Sequence, residues 1–149
     1  MELGGSLRKK LDSLIESAAS PLVKSSKPVS MHAADPIKYV PKGWGYEKWI
    51  VNCPDYCGKI LFIAQGKKCS WHFHVNKDEV FYVRKGAIEV TYGEDDDKKK
   101  GQTKLLVEGD KFHVTPGLRH QMYALKDTEL FEFSTQHFDT DSYRIEKGD

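Results

Sequence analysis

The chain has 149 residues, 30% of them charged, with a formal net charge of +1. That length suits one domain with a sizeable core, and the charge balance gives no electrostatic case for a nucleic acid or an anionic membrane surface as partner. No apolar run approaches the roughly 18 residues that a membrane helix needs.

The opening stretch, "MELGGSLRKKLDSLIESAAS", has no continuous apolar segment and carries Glu2, Asp12 and Glu16, which argues against a secretory signal or a transit peptide. Within it Leu7, Leu11, Leu14, Ile15 and Ala18 share one face at helical spacing. A short amphipathic helix is therefore expected over 7–19, ended by Pro21. Residues 20–36 are rich in Ser, Pro and Ala without periodicity and read as a linker. The expected organisation is a helix-and-linker arm over 1–36 and a single domain over 37–149. The three cysteines, Cys53, Cys57 and Cys69, read as reduced structural thiols in a cytoplasmic protein.

From Ile37 the pattern changes to short apolar and aromatic runs bounded by Gly, Pro, Asp and Asn. The expected strands are "KYV", "YEKWIVN", "KILFIAQ", "SWHFHV", "EVFYVRK", "AIEVTYG", "TKLLVEG", "KFHVT", "HQMYAL" and "ELFEFST". Between the sixth and seventh, "GEDDDKKKGQ" reads as a solvated hairpin loop. Many short strands with turns between them predict an all-β sandwich or barrel.

One strand pair carries chemistry. In "CSWHFHVNKDEVFYV", Cys69 to Val83, side chains alternate faces, so His72 and His74 point the same way and Trp71 and Phe73 the other. Glu79 opens the next strand, and an antiparallel hairpin would bring its carboxylate beside the two imidazoles, with Phe81 and Val83 facing inward too. His120, after the Pro-Gly turn of "GDKFHVTPGLRHQM", supplies a further imidazole. Polar groups in buried strands cost free energy unless satisfied. This set suits one divalent transition metal (Zn, Mn, Fe, Ni or Cu), which could act as a Lewis acid.

The residues then resemble a known family. "GKKCSWHFHVNKDEVFYVRKG", Gly66 to Gly86, resembles the first cupin motif without a gap, and "GDKFHVTPGLRHQMYA", Gly109 to Ala124, resembles the second. Thr115 stands where the second motif usually has Pro, and Ala124 where it often has Asn. The resemblance implies a double-stranded β-helix jelly roll with His72, His74, Glu79 and His120 as metal ligands. Three flanking stretches are similar to the cupin domain of type II mannose-6-phosphate isomerases. They are "KGWGYEKW" (Lys42 to Trp49), "SWHFHVNKDEVF" with Ser70, His74 and Glu79 matching, and the stretch Leu130 to Asp149 with Glu132, Asp141 and Arg144 matching. His72 and Lys77 replace a Gln and an Arg of that pattern.

A cupin fold alone does not assign a function. The isomerase resemblance implies movement of a proton between C1 and C2 of a sugar or sugar phosphate, with a metal polarising the carbonyl and a general base moving the proton. Glu132, Tyr46 and His137 are the candidate proton carriers. Arg144, then Lys77 and Lys48, are the candidates for the substrate's anion or hydroxyls. Trp44 and Trp49 are expected in packing, with a sugar-stacking floor as the alternative. The cupin resemblance implies a homodimer, since cupins of this size often pair through an edge strand, and such pairing also covers sheet edges. The competing functions are a non-haem metal dioxygenase and a cupin that binds a sugar without turnover.

Overall fold

The computed structural model describes residues 35–149, so the expected helix over 7–19 lies outside the described residues. The described chain is all β. In chain order the strands are β1 (Lys38–Lys42), β2 (Gly45–Asn52), β3 (Cys57–Ile63), β4 (Trp71–Phe73), β5 (Glu79–Lys85) and β6 (Ala87–Gly93). There follow β7 (Gln102–Val107), β8 (Lys111–Val114), β9 (Arg119–Ala124), β10 (Thr128–Ser134) and β11 (Tyr143–Glu146). They form two antiparallel sheets, one of six strands in the order β1-β2-β3-β10-β5-β8 and one of five in the order β11-β4-β9-β6-β7. No helix among the described residues is long and apolar enough to cross a membrane.

Ten of these strands overlap the expected runs, because each run is apolar or aromatic and bounded by turn residues; β4 covers only Trp71–Phe73 of "SWHFHV". The eleventh, β11, was not expected: all four of its residues are exposed, so it carries no burial pattern to read. A second difference concerns β4 and β5. They do not form a hairpin; β4 lies in the five-stranded sheet and β5 in the six-stranded one, so residues 74–78 cross between the sheets. The "GEDDDKKKGQ" loop joins β6 to β7 as expected but is not simply solvated. It contains a one-turn 3₁₀ helix, Lys98–Lys100, and its Asp96 carbonyl accepts a 2.9 Å hydrogen bond from the buried Trp71 indole.

Strand alternation builds the interior in rows. Across the six-stranded sheet Leu61, Leu130 and Val83 stand in register, then Lys59, Glu132 and Phe81, then Cys57, Ser134 and Glu79. The first row joins Ile63, Ile88 and Val90 in the apolar core, where each large side chain removed from water contributes roughly 1.5–3 kcal/mol. The next rows become polar although they point the same way. In the facing sheet His72, His120 and Tyr92 form the matching polar row, with Met122 and Val90 beyond it. One end of the barrel is therefore dry, and the other end presents charged and imidazole side chains to a cavity of about 480 Å³.

Candidate metal centre

His72 lies in β4, paired in register with His120 of β9, and His74 follows one residue past β4. One ligand atom from each of the three imidazoles lies within 4.8 Å of the others, a grouping that could hold a metal ion. The two motifs are stitched together here: Gly117 N–H, in the turn before β9, donates to the His74 carbonyl at 2.7 Å. The φ of +85° at Gly117 suits a residue without Cβ.

The protonation of the three rings follows from their partners. Nδ1 of His72 meets the Ser70 carbonyl at 2.9 Å, Nδ1 of His74 the Asp141 carbonyl at 2.6 Å, and Nδ1 of His120 the Leu118 carbonyl at 3.2 Å. A carbonyl only accepts, so each Nδ1 carries a proton, and a neutral ring then presents a lone pair at Nε2. Burial, joined by the neighbouring His120 and His74 rings, pushes His72 well below the ordinary imidazole value. Burial lowers His74 as well. Both rings are therefore neutral at pH 7.

Glu79 enters from the opposite sheet and is 1% exposed. Its Oε1 lies 3.2 Å from His120 Nε2 and 3.5 Å from His74 Nε2, yet it makes no hydrogen bond. Burial opposes its charge, but contact with the His120 ring and the Lys77 ammonium outweigh burial and hold the carboxyl well below its ordinary value. The lone pairs of the neutral His72 and His74 rings thus converge with the His120 ring and an ionised carboxylate oxygen. A buried polar atom without a partner is costly, and a cation is the species such a set satisfies. The donor chemistry fits a divalent transition metal.

Beyond the imidazoles, buried charges line the cavity. The Lys77 ammonium bonds Glu79 Oε2 on one side and Glu132 Oε1 on the other. Burial works against the Lys77 charge, but the two carboxylates outweigh it and raise its pKa. Ser134 Oγ donates to Glu132 Oε1 at 3.2 Å. The crossing loop that carries Lys77 is itself pinned by the buried Asp141. Its carboxylate accepts from the backbone N–H groups of Val75 (2.9 Å), Asn76 (3.1 Å) and Lys77 (3.0 Å), while its carbonyl orients His74.

The other sequence candidates divide. Glu132, His137 and Arg144 line the cavity with the imidazoles. Arg144, in β11, stands in register with His72 and has no ion pair among the described residues. Tyr46 and Lys48 are not brought to the site. On β2 it is Glu47 that faces the cavity, and alternation turns its neighbours outward. There Tyr46 stacks on Phe62 at 5.2 Å, with the Lys48 ammonium 5.4 Å from the Tyr46 ring. Lys77 is in the site, but its donors are committed to two carboxylates, so it does not serve as a free anion-binding point. Trp44 is buried in the cavity wall and core, whereas Trp49 lies between the Lys38 and Lys59 ammonium groups. Sequence reasoning missed Lys59, Lys42 and Glu47, and gave Asp141 no role. Lys59 sits in an apolar strand, "CGKILFI", and that interruption of the inward pattern was its only signal. The three cysteines are free; burial pushes the Cys69 thiol up to about 11, as expected of a structural thiol.

Two antiparallel sheets enclosing an imidazole-lined polar end define a β-barrel with a candidate metal centre. Residues 60–133 match the family described as "Cupin domain". No curated protein matches the sequence. Among solved structures, the capsular polysaccharide assembling protein CapF from Staphylococcus aureus is similar at 19% identity and TM-score 0.65, over 74% of this chain and 34% of CapF. KdgF from Halomonas sp. is similar at 22% identity and TM-score 0.59, over 69% of this chain and 89% of KdgF. Oxalate decarboxylase from Bacillus subtilis follows at 18% identity and TM-score 0.63, over 76% of this chain and 31% of the decarboxylase. These likenesses establish the fold, and the chain spans about a third of the length of CapF and of the decarboxylase.

Proposed function

We propose that the protein is a metal-dependent cupin enzyme that moves a proton between adjacent carbons of a small sugar or sugar derivative, an isomerase or epimerase. The observation that carries this reading is the placement of a buried carboxylate, Glu132, in the same cavity as the three imidazoles. The resemblance to type II mannose-6-phosphate isomerases supports the reaction class. CapF, which shares the fold, is a capsular polysaccharide assembling protein, which supports a carbohydrate substrate.

In this reading His72, His74, His120 and Glu79 hold one divalent ion, which when bound supplies Lewis acidity toward a substrate carbonyl. Glu132 takes a proton from one carbon and returns it to the next. Lys77 fixes both Glu79 and Glu132, so the proton carrier keeps a constant position relative to the ligand set. Arg144, at the rim, holds an anionic or hydroxyl group of the substrate.

The test incubates metal-loaded protein in D₂O with a panel of aldoses, ketoses and their phosphates, read by proton NMR. Deuterium should enter at C1 or C2 of a substrate, and Glu132→Gln should slow that exchange by about a hundredfold or more. Binding without exchange under every metal of the series would reduce the protein to a binding module. Oxygen uptake by the Fe(II) form without exchange would make it an oxygenase.

A further inference from the structure

Glu132, the proposed proton carrier, is 3% exposed, and its two carboxylate oxygens stand in different surroundings. Among the described residues every donor goes to Oε1. It takes the Lys77 ammonium from the crossing loop and the Ser134 hydroxyl at 3.2 Å, and the Lys59 ammonium of β3 stands 3.7 Å away. Oε2 receives no hydrogen bond among the described residues. Yet it is not sealed in protein as the unpartnered Glu79 Oε1 is, and Glu132 lines the cavity. A carboxylate whose donors all lie on one oxygen keeps the lone pairs of the other for a ligand.

Lys59 completes this set. It is the register partner of Glu132 across β3 and β10, so both side chains share the inward face. Its side chain is 2% exposed, and a buried ammonium needs opposite charge around it. Glu132 supplies that charge on one side, and Glu47 Oε2, at 3.6 Å, on the other. Glu47 is itself fixed: it accepts the Trp49 indole N–H at 2.7 Å and pairs with Lys42 at 3.3 Å. Burial opposes the Glu47 charge, but the Lys59 and Lys42 ammonium groups outweigh it and hold the carboxyl below its ordinary value. The Trp49 ring, its centroid 4.4 Å from the ammonium, adds a third contact. Lys59 is thus held by groups outside the imidazole cluster while its charge faces Glu132. The other titratable neighbours of Glu132 are the Cys57 thiol of β3 and His137, which follows β10; Glu79 lies beyond Lys77.

We infer that Glu132 carries the proton on Oε2, and that Lys59 is a positioning residue that, with Lys77 and Ser134, fixes Oε1 away from the substrate. In the transfer Oε2 takes a proton from one carbon while the C–H electron pair passes toward the adjacent carbonyl. The return step delivers that proton to the neighbouring carbon. This deepens the proposed reaction and rests on it for the chemistry, whereas the coupling of Lys59 to Glu132 is measurable without a substrate.

The experiment compares the wild type with Lys59→Met, Lys59→Gln and Lys59→Arg, each checked for a cooperative unfolding transition. Carboxyl-labelled glutamate is titrated with pH by carbon NMR in metal-free and Zn-loaded protein, the Glu132 resonance being assigned from Glu132→Gln. Loss of an adjacent cation should raise the Glu132 midpoint by about one pH unit or more in the two neutral variants. Lys59→Arg should keep the wild-type midpoint. In the deuterium-exchange assay kcat should fall about tenfold in the neutral variants with KM unchanged. The acid limb of the pH profile should move up with the midpoint, and Lys59→Arg should restore both. An unmoved midpoint in the neutral variants would overturn the assignment, as would a kcat loss with an unmoved acid limb that Lys59→Arg does not restore. If Lys59→Met fails to fold, Lys59→Gln carries the same test. Wild-type protein that exchanges no sugar, with the midpoint moved as expected, would overturn the proposed reaction and leave the pairing of Lys59 with Glu132 standing.

Discussion

Asp141 shows how much of the site depends on a residue that contacts neither cavity nor ligand set through its side chain. Its carboxylate holds three successive backbone N–H groups, and its carbonyl sets the tautomer of His74. Burial works against its charge, but those N–H groups outweigh it and lower its pKa. Asp141→Ala should cost about 2–3 kcal/mol, since hydrogen bonds to a charged group are lost and buried donors are left open; urea unfolding measures it. The same variant should weaken metal binding by about ten- to a hundredfold, because the carboxylate that is lost fixes the loop after His74 against residue 141, whose carbonyl orients that ring; competition with a chelator measures it. Cys69, with its thiol raised to about 11, should resist iodoacetamide at pH 8 in the folded protein and react after denaturation, read by mass spectrometry. The converging cluster was legible in the sequence because His72, His74, Glu79 and His120 carry their own spacing. Lys59 and Asp141 were not, because what defines them is a partner 60 or more residues away, Glu132 for one and Val75 for the other.

At the scale of elements, the crossing loop 74–78 matters most. A hairpin would have placed Glu79 beside the imidazoles in one sheet; the crossing places it against them from the facing sheet, so the cluster spans the interior. Alternation alone could not distinguish the two, because it fixes the face of a side chain and not the sheet its strand joins. Lys77, in that loop, neutralises two carboxylates from neighbouring strands. Lys77→Met should therefore destabilise the metal-free protein by about 3–5 kcal/mol, the cost of leaving a buried charge uncompensated, again read by urea unfolding. Gly86 turns the chain from β5 into β6, from one sheet to the other. Its φ is +99°, and a Cβ there would lie 2.4 Å from the Asp127 carbonyl oxygen. Gly86→Ala should lose at least about 1–3 kcal/mol from the backbone strain alone, visible as a lower thermal midpoint. The strand β11 escaped the sequence reading for the opposite reason: its side chains are all exposed, and only its pairing with β4 defines it.

For the whole molecule, the polar end exchanges folding stability for a binding site, and pH exposes that exchange. His72 and His74 have lowered pKa values in the folded state, against about 6.5 when unfolded. Between the folded and unfolded values the unfolded chain binds more protons, so stability falls as pH drops below about 6.5. Glu79 and Asp141, also lowered, add a second loss below about pH 4.5. Urea midpoints of metal-free protein should decline in these two stages, and the upper stage should shrink in a His72→Ala, His74→Ala variant. The central claim, that the converging imidazoles and carboxylate hold a metal, is tested most directly by elemental analysis of protein purified without chelator, beside the same double variant. About one equivalent of a transition metal per chain, lost in the variant, is the expected result. Wild-type protein that carries none, and whose thermal midpoint does not move with added Zn, Mn, Fe, Ni or Cu, would contradict it.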